Sequence, residues 1–197
     1  MEETLVLIDE GFVGVVSKHL GKGKYLKFDK VKFSKRLAKK ENLFCKHVYY
    51  YTAPPFQSEK PTEEESRRYK RYERFVRKLS SNPIITVREG RCQRLKIDGK
   101  FIFKQKAVDS LMIMDLMRVP IDYEDIKKII LIASDSDFVP IINYLKKLQI
   151  KTILYTCYEK RDRRSILSTS NELIKSVHKY VLLTKKDFDN APLEEVK

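Results

Sequence analysis

Asp135 and Asp137 sit in the run KIILIASDSDFVPII at 128–142, where apolar Ile129 to Ala133 stops abruptly at Ser134-Asp135-Ser136-Asp137 and apolar residues then resume at helical spacing. Such a pattern is that of a buried strand delivering two acids onto a helix start. Two carboxylates about 4 Å apart repel by roughly 4 kcal/mol at an effective dielectric near 20, so clustering them calls for a cation or a shared proton. Helix capping is the competing explanation, because Asp is a favoured N-cap. Asp9 is a similar acid, closing the short strand-forming run Thr4 to Ile8. Asp109 falls in the first turn of a helical pattern within KQKAVDSLMIMDLM at 104–117, whose apolar face is Val108, Leu111, Met112 and Leu116. The helix N-terminus favours its charged form. Asp115 lies about 120° further around that helix and is expected to be structural rather than to share a site with Asp109.

These acids must be positioned by strands that alternate with helices. Strands are expected at Thr4–Ile8, Cys45–Thr52, Ile84–Val87, Ile129–Ala133, Lys151–Cys157 and Tyr180–Leu183. Gly11 and Gly14 loosen the chain after Asp9, and residues 15–29, with Gly21 and Gly23 among lysines, read as a loop. Gly21-Lys22-Gly23 lacks the frame of a phosphate-binding P-loop. Asp29 is placed to cap a helix over Val31–Lys40, Pro61-Thr62 to start another, and Ser170 to start a helix through Val177. In the second of these, Tyr69, Tyr72, Phe75, Val76 and Leu79 form a stripe expected to pack on the sheet, with Arg67 to Lys78 supplying the basic face. Asp98-Gly99, between Leu95-Lys96-Ile97 and Phe101-Ile102-Phe103, is a strong hairpin signal, so a basic hairpin projects from the sheet.

Alternation of this kind implies a mostly parallel sheet with ligands at the carboxyl ends of strands beside the topological switch point. If the first strand neighbours the one at Ile129–Ala133, Asp9, Asp135 and Asp137 converge and Asp109 reaches in from the preceding helix. Four acids without His or Cys are oxygen ligands for a hard cation, Mg²⁺ or Mn²⁺.

The chain of 197 residues, 42% hydrophobic, can bury one sizeable core, read as a domain over 1–185 followed by an acidic tail at 186–197. Cys45, Cys92 and Cys157 form neither a disulfide framework nor a zinc pattern, which fits a reducing cytoplasm. No export signal or membrane-spanning run is evident, and no basic amphipathic helix argues for a membrane surface. Lys and Arg outnumber Asp and Glu by 41 to 27, a net charge of +14 that suits a phosphate-rich partner, although solvated lysine faces give a similar excess.

The motifs LVLIDEGF (5–12), YYYTAPPF (49–56), VREGRCQR (87–94), KQKAVDSLMIMDLM (104–117), IILIASDSDFVPII (129–142) and TSNELIKSVHKYVLL (169–183) together resemble the NYN domain of the PIN-like nuclease superfamily, in particular its LabA-type branch, over nearly the whole length. The resemblance implies a Rossmann-type three-layer α/β/α fold with a β-hairpin insertion and metal-dependent RNA cleavage, Asp9, Asp109, Asp135 and Asp137 matching the family's acidic positions. Phe12 stands where the family usually has Asn, and Ala107 where Gly is usual.

The function expected is a metal-dependent ribonuclease in the cytoplasm. Asp9, Asp109 and Asp135 would ligate Mg²⁺ or Mn²⁺, and Asp137 would orient water or a second ion. Arg88, Arg91, Arg94, Lys104, Lys106, Arg163 and Arg164 would contact the RNA. A homodimer is compatible with the chain. The alternative is a non-catalytic RNA-binding or regulatory module that retains the acidic pocket. A phosphatase reading fails because Asp9-Glu10-Gly11 lacks the DxD arrangement.

Overall fold

The computed structural model describes residues 1–157, 167 and 169–193. Its core is a six-stranded sheet, all parallel, built from β1 (Glu2–Asp9), β2 (Leu43–Thr52), β3 (Ile85–Glu89), β6 (Lys128–Ile132), β7 (Lys151–Thr156) and β8 (Lys179–Leu182). The strand order is β3-β2-β1-β6-β7-β8, so the order reverses between β1 and β6. A separate antiparallel hairpin is formed by β4 (Arg91–Ile97) and β5 (Lys100–Lys106).

Burial on both faces explains why the strands read as continuous apolar runs. Side chains alternate by twos: Val6, Ile8, Val48, Tyr50, Ile130 and Ile132 enter one apolar cluster with α1 (Glu10–Leu20) and α2 (Lys30–Lys40). Leu5, Leu7, Ile129 and Leu131 enter the other with α4 (Val108–Asp122) and α5 (Val139–Lys147). The result is the three-layer α/β/α architecture.

The expected caps form. Asp29 accepts from the Lys32 amide at 2.8 Å, Ser170 from those of Glu172 and Leu173, and Thr62 with Glu65 completes a reciprocal capping box at the start of α3 (Glu63–Ser80).

Several elements differ from the sequence reading. The segment after Asp9 is helical through Leu20 rather than a loop from residue 15, because Phe12, Val13 and Val16 share one buried face whose packing outweighs the glycine cost. Residues 104–106 belong to β5, and the helix begins at Val108 and continues past Pro120 to Asp122. The proline lies in the last turn, where it removes the amide that would bond the Leu116 carbonyl, and the helix ends two residues later. None of the α3 stripe is buried, and Phe75 is 38% exposed, because α3 lies along the edge strand β3 and meets the sheet on one flank only. Residues past 185 are not all peripheral: α7 (Lys185–Asp189) carries Phe188 into the core against Phe28 and Phe33.

The hairpin turns on Asp98 and Gly99, both at positive φ (49° and 77°). Its two legs close at Gly90, where a Cβ would lie 2.4 Å from the Lys106 carbonyl oxygen and 2.8 Å from Val108 Cγ2. Gly90→Ala is therefore expected to cost about 1–3 kcal/mol by forcing the legs apart. A lowered urea midpoint measures this, and an unchanged midpoint would show that the legs are free to move.

Candidate active site

Ile8 of β1 pairs with Ile132 of β6, so both chains leave the sheet side by side at the point where strand order reverses. Asp9 follows one strand and Ser134-Asp135 the other. They and Asp109, one residue into α4, line a cleft of about 280 Å³ together with Gly11, Phe12 and Gln105. Asp137 is not in the lining, but it is close enough to raise the Asp109 pKa.

Burial pushes the Asp9 carboxyl up to about 6, with Asp109 adding to the rise, while the Phe12 and Gly11 amides pull the other way. Those amides favour the charged form without closing a cap hydrogen bond to the side chain. Asp109, half-buried, is also raised, first by desolvation and then by the charges of Asp135 and Asp137. Both of these charges come from the segment that follows β6. Asp135 is also a cap, its Oδ1 accepting from the Asp137 amide at 3.0 Å at the entry to a single turn of 3-10 helix, Ser136–Phe138, that leads into α5. The capping role weighed from sequence is thus present in a residue that also faces the cleft.

A hard cation suits this donor set chemically, since carboxylate oxygens at a strand switch point are what Mg²⁺ or Mn²⁺ takes. The Asp9 and Asp109 carboxyls are both raised, first by desolvation and then by neighbouring acids, so the cleft disfavours their negative charge. Among the described residues no three His, Cys, Asp or Glu side chains already stand close enough to hold a metal together. The acids converge without closing a coordination shell.

The chain matches the NYN domain family model over residues 4–184. It belongs to the NYN domain family. That family is part of the PIN-like nuclease superfamily, so the fold is nuclease-like and its expected substrate is nucleic acid. No curated protein matches the chain. Among solved structures, a protein of unknown function from Vibrio parahaemolyticus is similar, with 16% identity, a TM-score of 0.57 and coverage of 95% of each chain. At that identity the likeness shows the fold alone.

In this NYN domain the expected basic residues separate into distinct environments. Arg88 forms a two-pronged ion pair with Asp115, Nε to Oδ2 and Nη2 to Oδ1, both 3.0 Å. The Tyr51 hydroxyl donates to Oδ2 of the same carboxylate at 2.9 Å. Asp115 is thus structural, as its place on the helix implies. Arg94 lies on one face of the hairpin, whereas Arg91, Lys104 and Lys106 lie on the other. Arg163 and Arg164 fall outside the described residues. Phe12, in the position where Asn is usual, is 7% exposed and belongs to the core beneath the cleft. Glu10 accepts a hydrogen bond from the Tyr50 hydroxyl and its charge adds to the rise at Asp9. Gln105 was missed: its Oε1 reaches within 3.5 Å of the Cβ position of Gly11, beside Asp9. Only the strand period, which sets it on the same hairpin face as Phe103, could have signalled it. No helix among the described residues is long and apolar enough to cross a membrane.

Proposed function

We propose that this NYN domain is a metal-dependent ribonuclease that hydrolyses RNA phosphodiester bonds. The observation that supports it is the meeting of Asp9, Asp109 and Asp135 in one cleft at the β1/β6 switch point, with the Asp9 and Asp109 pKa values held up by burial and by neighbouring acids. Asp9, Asp109 and Asp135 would hold Mg²⁺ or Mn²⁺. When bound, such an ion supplies Lewis acidity at the phosphate and lowers the pKa of water. The chain's own contributions are to position and to take up charge. Asp137, exposed at the edge of the cleft, orients the attacking water for in-line approach. Arg94 and the lysines of the hairpin, together with Arg91, hold phosphates, and Arg163 and Arg164 are proposed to add to them. Such ionic contacts weaken steeply with salt.

A non-catalytic RNA-binding module is the second reading. It is favoured by the open geometry of the acids and by Phe12 in the position of the usual Asn. The two separate when labelled single-stranded and structured RNAs are incubated with protein and Mn²⁺ or Mg²⁺, beside Asp135→Asn and an EDTA control. Cutting that needs the metal and is lost in the folded variant is expected. RNA binding without cutting in either protein would establish the module instead.

A further inference from the structure

The hairpin carries six basic residues, Arg91, Arg94, Lys96, Lys100, Lys104 and Lys106, against the single acid Asp98. It also leaves large apolar side chains in water: Phe101 is 57% exposed, Phe103 53%, Ile97 42% and Ile102 40%. Scattered apolar residues on a surface need no explanation, but two exposed rings at alternate positions of one strand of a projecting arm, Phe101 and Phe103, mark a contact surface. Its net positive charge makes an anionic partner the fitting occupant.

Register sorts these residues. Residues directly opposite in an antiparallel pair share a face, and alternate residues along a strand do too. Cys92 pairs with Gln105, Arg94 with Phe103 and Lys96 with Phe101. Gln105 therefore shares its face with Phe103, Arg94, Phe101 and Lys96, and Gln105 lines the acid cleft. Leaving the cleft along that face, one meets alternating rings and cations out to the tip. Phe56, from the loop after β2, extends the same surface, its ring 5.5 Å from that of Phe103. The Arg94 guanidinium lies 4.8 Å from the Phe56 ring and 4.7 Å from the Phe101 ring. The opposite face carries Leu95, Ile97 and Ile102 among Arg91, Lys100, Lys104 and Lys106, so it offers cations but no ring.

Aromatic faces interleaved with cations are what unpaired bases and their phosphates bind, whereas duplex RNA hides its base faces. We propose that the β4–β5 hairpin is a stacking arm for single-stranded RNA: Phe101 and Phe103 stack on bases, Arg94 and Lys96 hold the phosphates, and the strand is led past Gln105 into the acid cleft. This names the substrate class for the nuclease reading above and rests on it for what happens in the cleft. The arm itself binds without metal.

The test is binding in EDTA, read by fluorescence anisotropy of a labelled 12-nucleotide oligo(U) and of a duplex of equal length. Wild type should prefer the single strand. Phe101→Ala/Phe103→Ala should weaken oligo(U) binding about 10-fold or more, with the salt dependence unchanged because no charge is removed. Arg94→Ala should weaken it and also reduce the salt slope by about one. Ile97→Ala/Ile102→Ala, on the other face, should bind like wild type. A 2-aminopurine in the oligonucleotide should be quenched by wild type and not by the double Phe variant. Because no metal is present, this result is independent of whether the protein cuts RNA. The proposal is overturned by wild-type affinity in the double Phe variant, by a preference for duplex, or by absence of RNA binding.

Discussion

Replacing Asp9 with Asn is expected to lower metal-dependent RNA cleavage by about 10³-fold or more while making the metal-free protein more stable. The loss follows from removing the carboxylate proposed to hold the metal, a 10³-fold change corresponding to about 4 kcal/mol. The gain follows from burial. The Asp9 carboxyl is held at about 6 against an ordinary value of 3.8, so the folded protein binds this proton more tightly than the unfolded chain does. Below the unfolded value both states are protonated and Asp9 costs nothing. As pH rises through the interval from about 4 to 6 the unfolded chain releases its proton first, and folding stability falls. Above the folded value the full cost applies, roughly 2–3 kcal/mol at pH 7. Asn carries no such cost, so Asp9→Asn should melt higher at pH 7 and lose most of the wild-type decline in stability between pH 4 and 6. Thermal melts in EDTA across that range measure it. A variant no more stable than wild type at pH 7 would show that Asp9 is solvated, and retained cleavage would remove it from the site.

Asp115→Ala should have the largest effect on stability, about 2–4 kcal/mol, without altering the acid cleft directly. The Asp115 side chain is only 11% exposed and holds both Arg88 and Tyr51. Its removal leaves the fully buried Tyr51 hydroxyl without that acceptor and Arg88 without its carboxylate, and an uncompensated buried group costs more than the pair contributed. Arg88 is 39% exposed, so part of the ionic term is screened by solvent and the hydroxyl supplies much of the loss. Urea unfolding of Asp115→Ala, Tyr51→Phe and the double variant tests this. Strong non-additivity is expected, with the double variant less destabilised than the sum. Additive effects would mean that the two side chains do not act as one unit.

These two acids show how far residue type carries an argument. Asp9 and Asp135 were legible because a parallel strand buried on both faces is almost wholly apolar, so an acid ending such a run has few reasons to be there except at its exposed tip. Asp109 was legible from its place in the first turn of a helix. Asp115, from the same helix, was separable from Asp109 by angle alone, but its partners were not: Tyr51 is 64 residues away, on a strand whose neighbours only the sheet order decides. Arg88 has the same composition signal as Arg94, yet one closes an ion pair and the other rests on aromatic rings. Charge in a sequence does not say which cations are already answered.

Local patterns failed where packing outweighed them. Gly11 and Gly14 suggested a loosened chain after Asp9, and Gly21 and Gly23 a loop over 15–29, yet Phe12, Val13 and Val16 share a face over the sheet and make a helix through Leu20. The reverse holds for α3, whose strong periodicity promised burial that an edge position could not supply.

By itself, then, the sequence determined the alternation of strands and helices, the caps at Asp29, Thr62 and Ser170, the Asp98-Gly99 turn and the acids at strand ends, because these depend on dihedral preference and hydrophobic period within a few residues. Only the tertiary structure decided that β1 lies beside β6, that Asp115 accepts from both Arg88 and Tyr51, and that the Gln105 face of the hairpin runs from the cleft to Phe103 and Phe101. Each of these joins residues distant in the chain, and their pairing is set by sheet order and register, which no local window contains.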